Sequence, residues 1–373
     1  MKNVIFVISA VLVLVIGVNS CKEDIELIGE FEETAVVYGL LDQSEDIHMI
    51  KITRAFIGPG DATEIAQIPD SSYFQSVAGT VTELFKVGPD TYVTGRIFTL
   101  TDTLVENKDP NGVFYAPQQK LYYFATLPSE PLLGNAEYEL NLVINNGEFN
   151  VSARTVMVNG ITNNISAQTQ PYKFITNNAA QDYKSSPVTV SNLALANAHQ
   201  VNVTLRVEFT EWIVADSSIK SFDWKIGESV ILQGENSKTY SANGQLFYEL
   251  MRDNCTNNPA IDKRTFNSIS TIVTGGAEDF VNYILVNEPS SSLAQSKPTF
   301  TNLTATNGHR VIGIFSARET TTTFKPFIDP SLIPYIRAID KITTNKLCTG
   351  PITGPYLFCS DHPADNSEFW SCN

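Results

Sequence analysis

Cys21 is the residue whose surroundings most clearly predict chemistry. It follows an apolar run from Val4 to Val18, and Lys2 places a positive charge before that run. The run is shorter than the ~20 residues of a bilayer span and suits a signal peptide. Val18-Asn19-Ser20-Cys21 has the order of a lipobox, in which the chain is cut before the cysteine and the thiol is acylated. Residues 1–20 are therefore predicted to be a lipoprotein signal peptide, with Cys21 as the lipidation site.

The other four cysteines predict disulfides. Cys255, Cys348, Cys359 and Cys372 are even in number, and an exported chain folds in an oxidising compartment. Three pairings can form, and the sequence does not choose among them. Zinc is the alternative, but no CxxC occurs and His362 follows Cys359 alone. We expect two disulfides that tie down the C-terminal tail.

Motifs for catalysis are missing from the sequence. The four histidines have no HExxH spacing or other pairing: His48, His199, His309 and His362. Ser217-Ser218-Ile219-Lys220 matches the SxxK of penicillin-binding serine enzymes, but it is predicted to be a loop and lacks the partner motifs. The sequence therefore predicts a protein that is not an enzyme, with no catalytic residues and no cofactor.

Acidic residues in the tail are candidate metal ligands. Asp361, His362, Asp365 and Glu368 could together hold a divalent cation. A solvated loop between two half-cystines explains them equally well. No metal site is predicted.

Two tryptophans and one threonine are candidate sites for carbohydrate. Trp212 and Trp224 could supply stacking faces for a glycan, and Trp212 has the parity of the polar residues on its strand. Packing in the core is the commoner fate of a tryptophan. Asp102-Thr103-Leu104 fits the Asp-Ser/Thr-apolar sequon for O-glycosylation in Bacteroidota, which predicts that Thr103 is exposed and modified.

Composition excludes some partners and sets the number of domains. The chain has 373 residues, with Lys+Arg 25 against Asp+Glu 40 and a net charge of −15. Nucleic acid and anionic membrane surfaces are bound by clustered Lys and Arg, so this balance argues against both. A hydrophobic content of 43% is enough for a core, and the length suggests about two domains.

The first domain is predicted over residues 34–158, after an acidic tether over 21–33. Short apolar and β-branched runs alternate with turn residues, which is typical of strands. Asn145-Asn146-Gly147 separates two alternating runs, Tyr138 to Ile144 and Val151 to Thr155, and so predicts a hairpin. Strands without intervening helices favour an immunoglobulin- or fibronectin-like β-sandwich.

The second domain is predicted over residues 159–373. Val201 to Thr210 alternates strictly between apolar and polar residues, which predicts a half-buried strand. Short helices are predicted near 244–252, from Glu278, and at Asp329-Pro330. The whole chain is therefore predicted to be mainly β, with a few short helices in its second domain and a C-terminal tail held by disulfides.

Several segments resemble one lipoprotein family of the Bacteroidota. Beside the lipobox, the matching segments are Lys22-Glu23-Asp24, Val36-Val37-Tyr38-Gly39-Leu40-Leu41, Pro298-Thr299-Phe300-Thr301-Asn302-Leu303, Asn307-Gly308 and Gly313-Ile314-Phe315-Ser316-Ala317-Arg318. That family carries a domain of unknown function over almost the whole mature chain. Its genes tend to lie beside genes for TonB-dependent receptors. Lys22, Glu23 and Asp24 resemble its surface-export signal. The resemblance carries over no catalytic residue.

Two functions are expected from these observations. The first is a lipid-anchored protein of the outer membrane, displayed on the cell surface, that serves as accessory or binding subunit of a TonB-dependent uptake system. The alternative is a stand-alone surface lipoprotein that binds glycans through exposed aromatic residues. A glycan or another nutrient is the expected ligand.

Overall fold

The computed structural model describes most of the chain after the predicted tether. The described ranges are residues 32–57, 62–106, 108–112, 114–165, 171–177, 180–287, 299–328 and 337–372. Four predictions lie outside them: the signal peptide over residues 1–20, lipidation of Cys21, the export signal at Lys22-Glu23-Asp24 and the helix at Asp329-Pro330. Within these ranges, no helix is both long enough and apolar enough to span a membrane.

The N-terminal half is an immunoglobulin-like sandwich of eight strands. They are β1 (Glu32–Asp42), β2 (Ile47–Ile57), β3 (Val77–Gly88), β4 (Thr91–Thr99), β5 (Thr101–Val105), β6 (Gln119–Ala125), β7 (Glu137–Ile144) and β8 (Phe149–Val156). A short helix, α1 (Ala62–Ala66), and a 3₁₀ turn (Pro69–Ser71) follow β2. One sheet contains the order β1-β2-β6-β5 and the other the order β8-β7-β3-β4. These are the A-B-E-D and G-F-C-C′ orders of an immunoglobulin fold, so the predicted sandwich is confirmed.

The alternation of side chains explains how the two sheets pack. Tyr138, Leu140 and Leu142 of β7 and Ala35 and Val37 of β1 are all buried in one core. The intervening residues point outward, as the period of two requires. The β7–β8 turn has left-handed residues at Asn145, Asn146 and Gly147, as expected for the predicted hairpin.

Tyr138 fixes the corner between β6 and β7. Its hydroxyl accepts a hydrogen bond from the backbone nitrogen of Leu133 at 2.7 Å and donates one to Glu83 Oε2 at 2.8 Å. Glu83 also pairs with Arg96 at 2.7 Å. A tyrosine near the start of strand F that bonds back to upstream backbone is a hallmark of immunoglobulin-like sandwiches. Burial raises the pKa of Tyr138, so the hydroxyl stays protonated and able to donate.

The C-terminal half is also mostly β. Its strands are β9 (Thr162–Asn163), β10 (Ser186–Ser191), β11 (Gln200–Ile213), β12 (Asp216–Val230), β13 (Ser237–Ala242), β14 (Lys263–Gly276), β15 (Thr304–Ala305), β16 (Arg310–Pro326) and β17 (Phe358–Cys359). The helices are α2 (Gly244–Asp253), α3 (Glu278–Asn287) and α4 (Lys341–Thr349), with 3₁₀ turns at Gly354–Tyr356 and Pro363–Asp365. The helices predicted near 244–252 and from Glu278 are confirmed.

One sheet runs through both halves. Its order is β12-β11-β14-β16-β1-β2-β6-β5, with β17 added beside β14. Strand β16 pairs in parallel with β1, from Thr34 opposite Arg310 to Asp42 opposite Arg318. The two predicted domains, 34–158 and 159–373, therefore share one sheet and one core. Strand β1 also takes up the last two residues of the predicted tether.

His48 is a buried imidazole in the sandwich core. It is 1% exposed, its ring stacks on Phe124 at 4.7 Å, and its Nε2 lies 3.3 Å from Thr126 Oγ1. Burial lowers its pKa to about 4, although the charges of Asp42 and Asp46 favour the protonated form. The folded protein therefore holds His48 neutral at pH values where an unfolded chain protonates it.

Acidification should destabilise the protein through His48. Between pH 6.5 and pH 4 the unfolded chain binds the extra proton and the folded chain does not, so stability falls as the pH falls. A shift of this size corresponds to about 3 kcal/mol. We expect urea unfolding of wild type to lose that much more stability over this range than unfolding of His48→Phe. Equal losses in the two proteins would contradict the assignment.

Candidate functional site

The β11–β12 hairpin projects an apolar tip. Along β11, Val201, Val203, Leu205 and their alternate neighbours are buried, which confirms the strand predicted from the alternation. The pairing continues to Ile213 opposite Asp216 at the far end. There Val214 is 84% exposed, its neighbour Ile213 is exposed, and Ile219 is exposed further down β12, opposite Thr210.

Two exposed aliphatic residues at this end have left-handed backbone. Val214 has φ 55° and Leu357 has φ 62°. Residues with a Cβ pay about 1–2 kcal/mol for this conformation, and a β-branched residue there is a true outlier. The nitrogen of Val214 donates to Asp262 Oδ2 at 3.1 Å. Such strain persists only where surrounding structure holds it, and it concentrates at functional sites.

A buried ion pair holds the strained segments together. Arg264 Nε lies 2.9 Å from Glu211 Oε1, and both side chains are buried. The Arg264 guanidinium also donates to the carbonyl oxygens of Tyr356, at 2.6 Å, and Thr256, at 2.7 Å. Burial opposes ionisation of Glu211, but hydrogen bonds from Thr256 and Arg264 hold its pKa below the ordinary value. One guanidinium therefore fixes β11, the loop after α2 and the segment before Leu357.

Two depressions flank Leu357. A cleft of about 640 Å³ lies between the end of α2 and the Tyr356–Leu357 segment, and is lined by Arg252, Asp253 and Asn257 among others. A groove of about 480 Å³ lies between Lys263, the end of α4 and the C-terminal tail. We call the whole region the hairpin end: residues 212–214, 253–263 and 355–372.

A disulfide and an ion pair order the tail within the hairpin end. Cys359 and Cys372 form a disulfide, as the sequence predicted for the tail. Arg337 binds both oxygens of Asp365, at 3.0 and 2.6 Å. Between these fixed points, Phe369 is 86% exposed at the groove.

Asp365, Glu368 and His362 of the tail make structural contacts. Asp365 also accepts a hydrogen bond from Ser360, and Glu368 pairs with Lys341 at 2.6 Å. His362 Nδ1 accepts a hydrogen bond from the backbone nitrogen of Ala364. The described residues contain no group of His, Cys, Asp and Glu that could hold a metal ion.

The second predicted disulfide is absent from the structure. Cys255 and Cys348 are free thiols, which corrects the expectation of two bridges. Cys255 Sγ donates to the carbonyl oxygen of Met251 at the end of α2, whereas Cys348 lies in the last turn of α4. Burial raises the pKa of each thiol to about 12.

The two predicted stacking tryptophans have different environments. Trp224 is 5% exposed and packs against Phe174 and Phe247, so the expectation that it stacks on a glycan is wrong. Trp212 is half-buried, its Nε1 donates to Thr265 Oγ1 at 3.0 Å, and Lys263 Nζ lies 5.3 Å from its ring centroid. Lys263 therefore occupies one face of the only predicted stacking ring that is partly open.

Two further sequence motifs lie on edge strands. Thr103 is half-buried on β5, opposite Leu121, and its glycosylation stays a prediction. Ser217 to Lys220 belongs to β12, not to the predicted loop. In a strand, residues three apart point to opposite faces, so Ser217 and Lys220 do not have the geometry that SxxK requires.

Comparison with known proteins assigns no family. No family model matches the chain, and no curated protein matches it. Among solved structures, the crystal structure of CBD12 from CALX1.2 is 9% identical, covers 78% of this chain and 98% of that chain, and has a TM-score of 0.18. That TM-score is too low to support any conclusion about this chain.

Alkylation should reveal two free cysteines that react slowly in the folded protein. In a chain that starts at Lys22, Cys255 and Cys348 should resist iodoacetamide at pH 8, because burial keeps them protonated and the thiolate is the reactive form. Mass spectrometry should find two alkylated cysteines once urea is added without reductant. Cys359 and Cys372 should react only after reduction. No alkylation in urea would mean that a second disulfide exists.

Proposed function

We propose that this protein is a non-enzymatic lipoprotein, anchored at Cys21 in the outer membrane and displayed on the cell surface. It serves as a binding subunit of a TonB-dependent uptake system, and the hairpin end captures the cargo. The observation that carries this proposal is the pair of exposed aliphatic residues, Val214 and Leu357, held in strained backbone over a buried ion pair.

Exposed apolar residues in a fixed conformation favour binding. Val214 and Leu357 are exposed apolar side chains on strained backbone, and strained backbone concentrates at functional sites. Arg264 holds the backbone beneath Leu357 and Tyr356 before any ligand arrives. A surface ordered in advance loses less conformational entropy on binding, so a given contact area gives more affinity.

The first residues of the chain support the proposed location at the cell surface. The lipobox at Val18 to Cys21 and the acidic Lys22-Glu23-Asp24 resemble those of surface lipoproteins of the Bacteroidota. The same resemblance suggests a TonB-dependent receptor as partner. We assign cargo to the hairpin end and receptor contact to other surfaces.

A stand-alone glycan-binding lipoprotein is the second candidate. It is favoured by Phe369, an exposed aromatic ring beside the 480 Å³ groove, and by Trp212, a half-buried ring that contacts Lys263 of the same groove. Trp224 no longer supports it, because that ring is in the core.

Crosslinked pull-downs from native outer membranes test the proposed function. We expect a stoichiometric TonB-dependent receptor to copurify with wild type and with Val214→Asp. Growth on the nutrient of that receptor should slow in Val214→Asp, because a charge in the apolar surface opposes cargo burial. Leu195→Asp is the matched control, since Leu195 is 80% exposed elsewhere and Val214 is 84% exposed.

Two outcomes would count against the proposal. Repeated absence of a receptor would favour the stand-alone glycan-binding lipoprotein. Equal growth of the Val214→Asp and Leu195→Asp strains would remove the hairpin end as the cargo site.

A further inference from the structure

We infer that the hairpin end is the membrane-distal pole of the anchored protein, where it meets cargo arriving from the medium rather than the lipid surface. The inference rests on the lipid anchor of the proposed function. It follows from strand register and from the length of chain between Cys21 and β1.

The strand register places residues at three successive levels along the strand direction of the shared sheet. Thr34, at the start of β1, lies opposite Arg310, and Arg318 lies opposite both Asp42 and Gly276. Strand β14 then runs from Gly276 back to Lys263, opposite Trp212 at the hairpin end. At ~3.3 Å per residue, the strand path from the level of Thr34 to that of Trp212 is about 70 Å.

The sandwich turn lies at the level where the anchor segment enters. Phe149, next to the β7–β8 turn, stacks on His309 at 4.1 Å, and His309 adjoins Arg310. Asn307 Nδ2 donates to the carbonyl oxygen of Glu148 at 2.7 Å. Glu148 therefore lies near the start of β1.

The loop around Leu195 lies at the middle level. The nitrogen of His199 donates to the carbonyl oxygen of Gly276, and Gly276 lies opposite Arg318. Leu195, four residues before His199, is on the surface at this level. Glu148, Leu195 and Val214 therefore mark three successive heights above the start of β1.

The anchor segment is too short for a fully inverted molecule, with its strands normal to the bilayer and the hairpin end on the lipid. Ten residues separate Cys21 from Glu32. Whatever their conformation, they reach at most about 40 Å. If the hairpin end touched the bilayer in an inverted molecule, β1 would start about 70 Å above it. Even if sheet twist shortens this distance by a third, the remaining distance exceeds the reach of the segment.

Energy transfer to a membrane dye tests this orientation. The full lipidated protein, in a Cys255→Ala and Cys348→Ala background, receives one donor fluorophore at Glu148→Cys, Leu195→Cys or Val214→Cys. It is reconstituted in vesicles of phosphatidylethanolamine and phosphatidylglycerol that carry an acceptor lipid. We expect transfer to fall in the order Glu148, Leu195, Val214, with severalfold less transfer from Val214 than from Glu148.

Flotation of the same samples separates the two claims. A protein that does not float with the vesicles, and whose Cys21 peptide carries no lipid by mass spectrometry, overturns the anchor and with it the proposed function. A protein that floats but transfers as strongly from Val214 as from Glu148 overturns the orientation alone.

Discussion

The parallel pairing of β1 with β16 is the interaction on which the rest of the structure depends. It joins the sandwich to the C-terminal half along nine paired residues. Gly313 lies at its centre with φ 110°, where a Cβ would come within 1.9 Å of the carbonyl oxygen of Val37. Only glycine permits that approach. We call this β1–β16 pairing the seam. At its end, Arg318 forms ion pairs with Asp42 and Glu45 of the β1–β2 turn.

The seam joins two β units into one sheet that reaches from the sandwich to the hairpin end. Strand β16 passes from β1 to β14, and β14 carries the register on to the hairpin end. There the Arg264–Glu211 pair is buried, so removing one partner would leave an uncompensated charge. The carboxylate of Glu319 accepts hydrogen bonds from the backbone nitrogens of Gly160 and Ile161, both at 2.9 Å. These bonds fix the chain where it leaves the sandwich.

Local patterns in the sequence predicted most of the fold, whereas the site depends on contacts between distant segments. Strict alternation identified β11, and Asn145 to Gly147 identified the β7–β8 turn. Strand β12 was missed at Ser217 because its polar, exposed start resembles a loop. The tip at Val214 has neither Gly nor Asn to signal a left-handed residue. The number of cysteines could not show which thiols stay free, and no local pattern in the sequence shows that Phe174 and Phe247 cover Trp224.

Coincidence of unfolding in the two halves tests most directly whether the seam makes them one body. All three tryptophans, Trp212, Trp224 and Trp370, belong to the C-terminal half, so their fluorescence reports its unfolding. A fluorophore on Glu148→Cys reports the sandwich. Because the halves share a sheet and a core, the account predicts one urea transition with the same midpoint for both signals. Two separate transitions would contradict it.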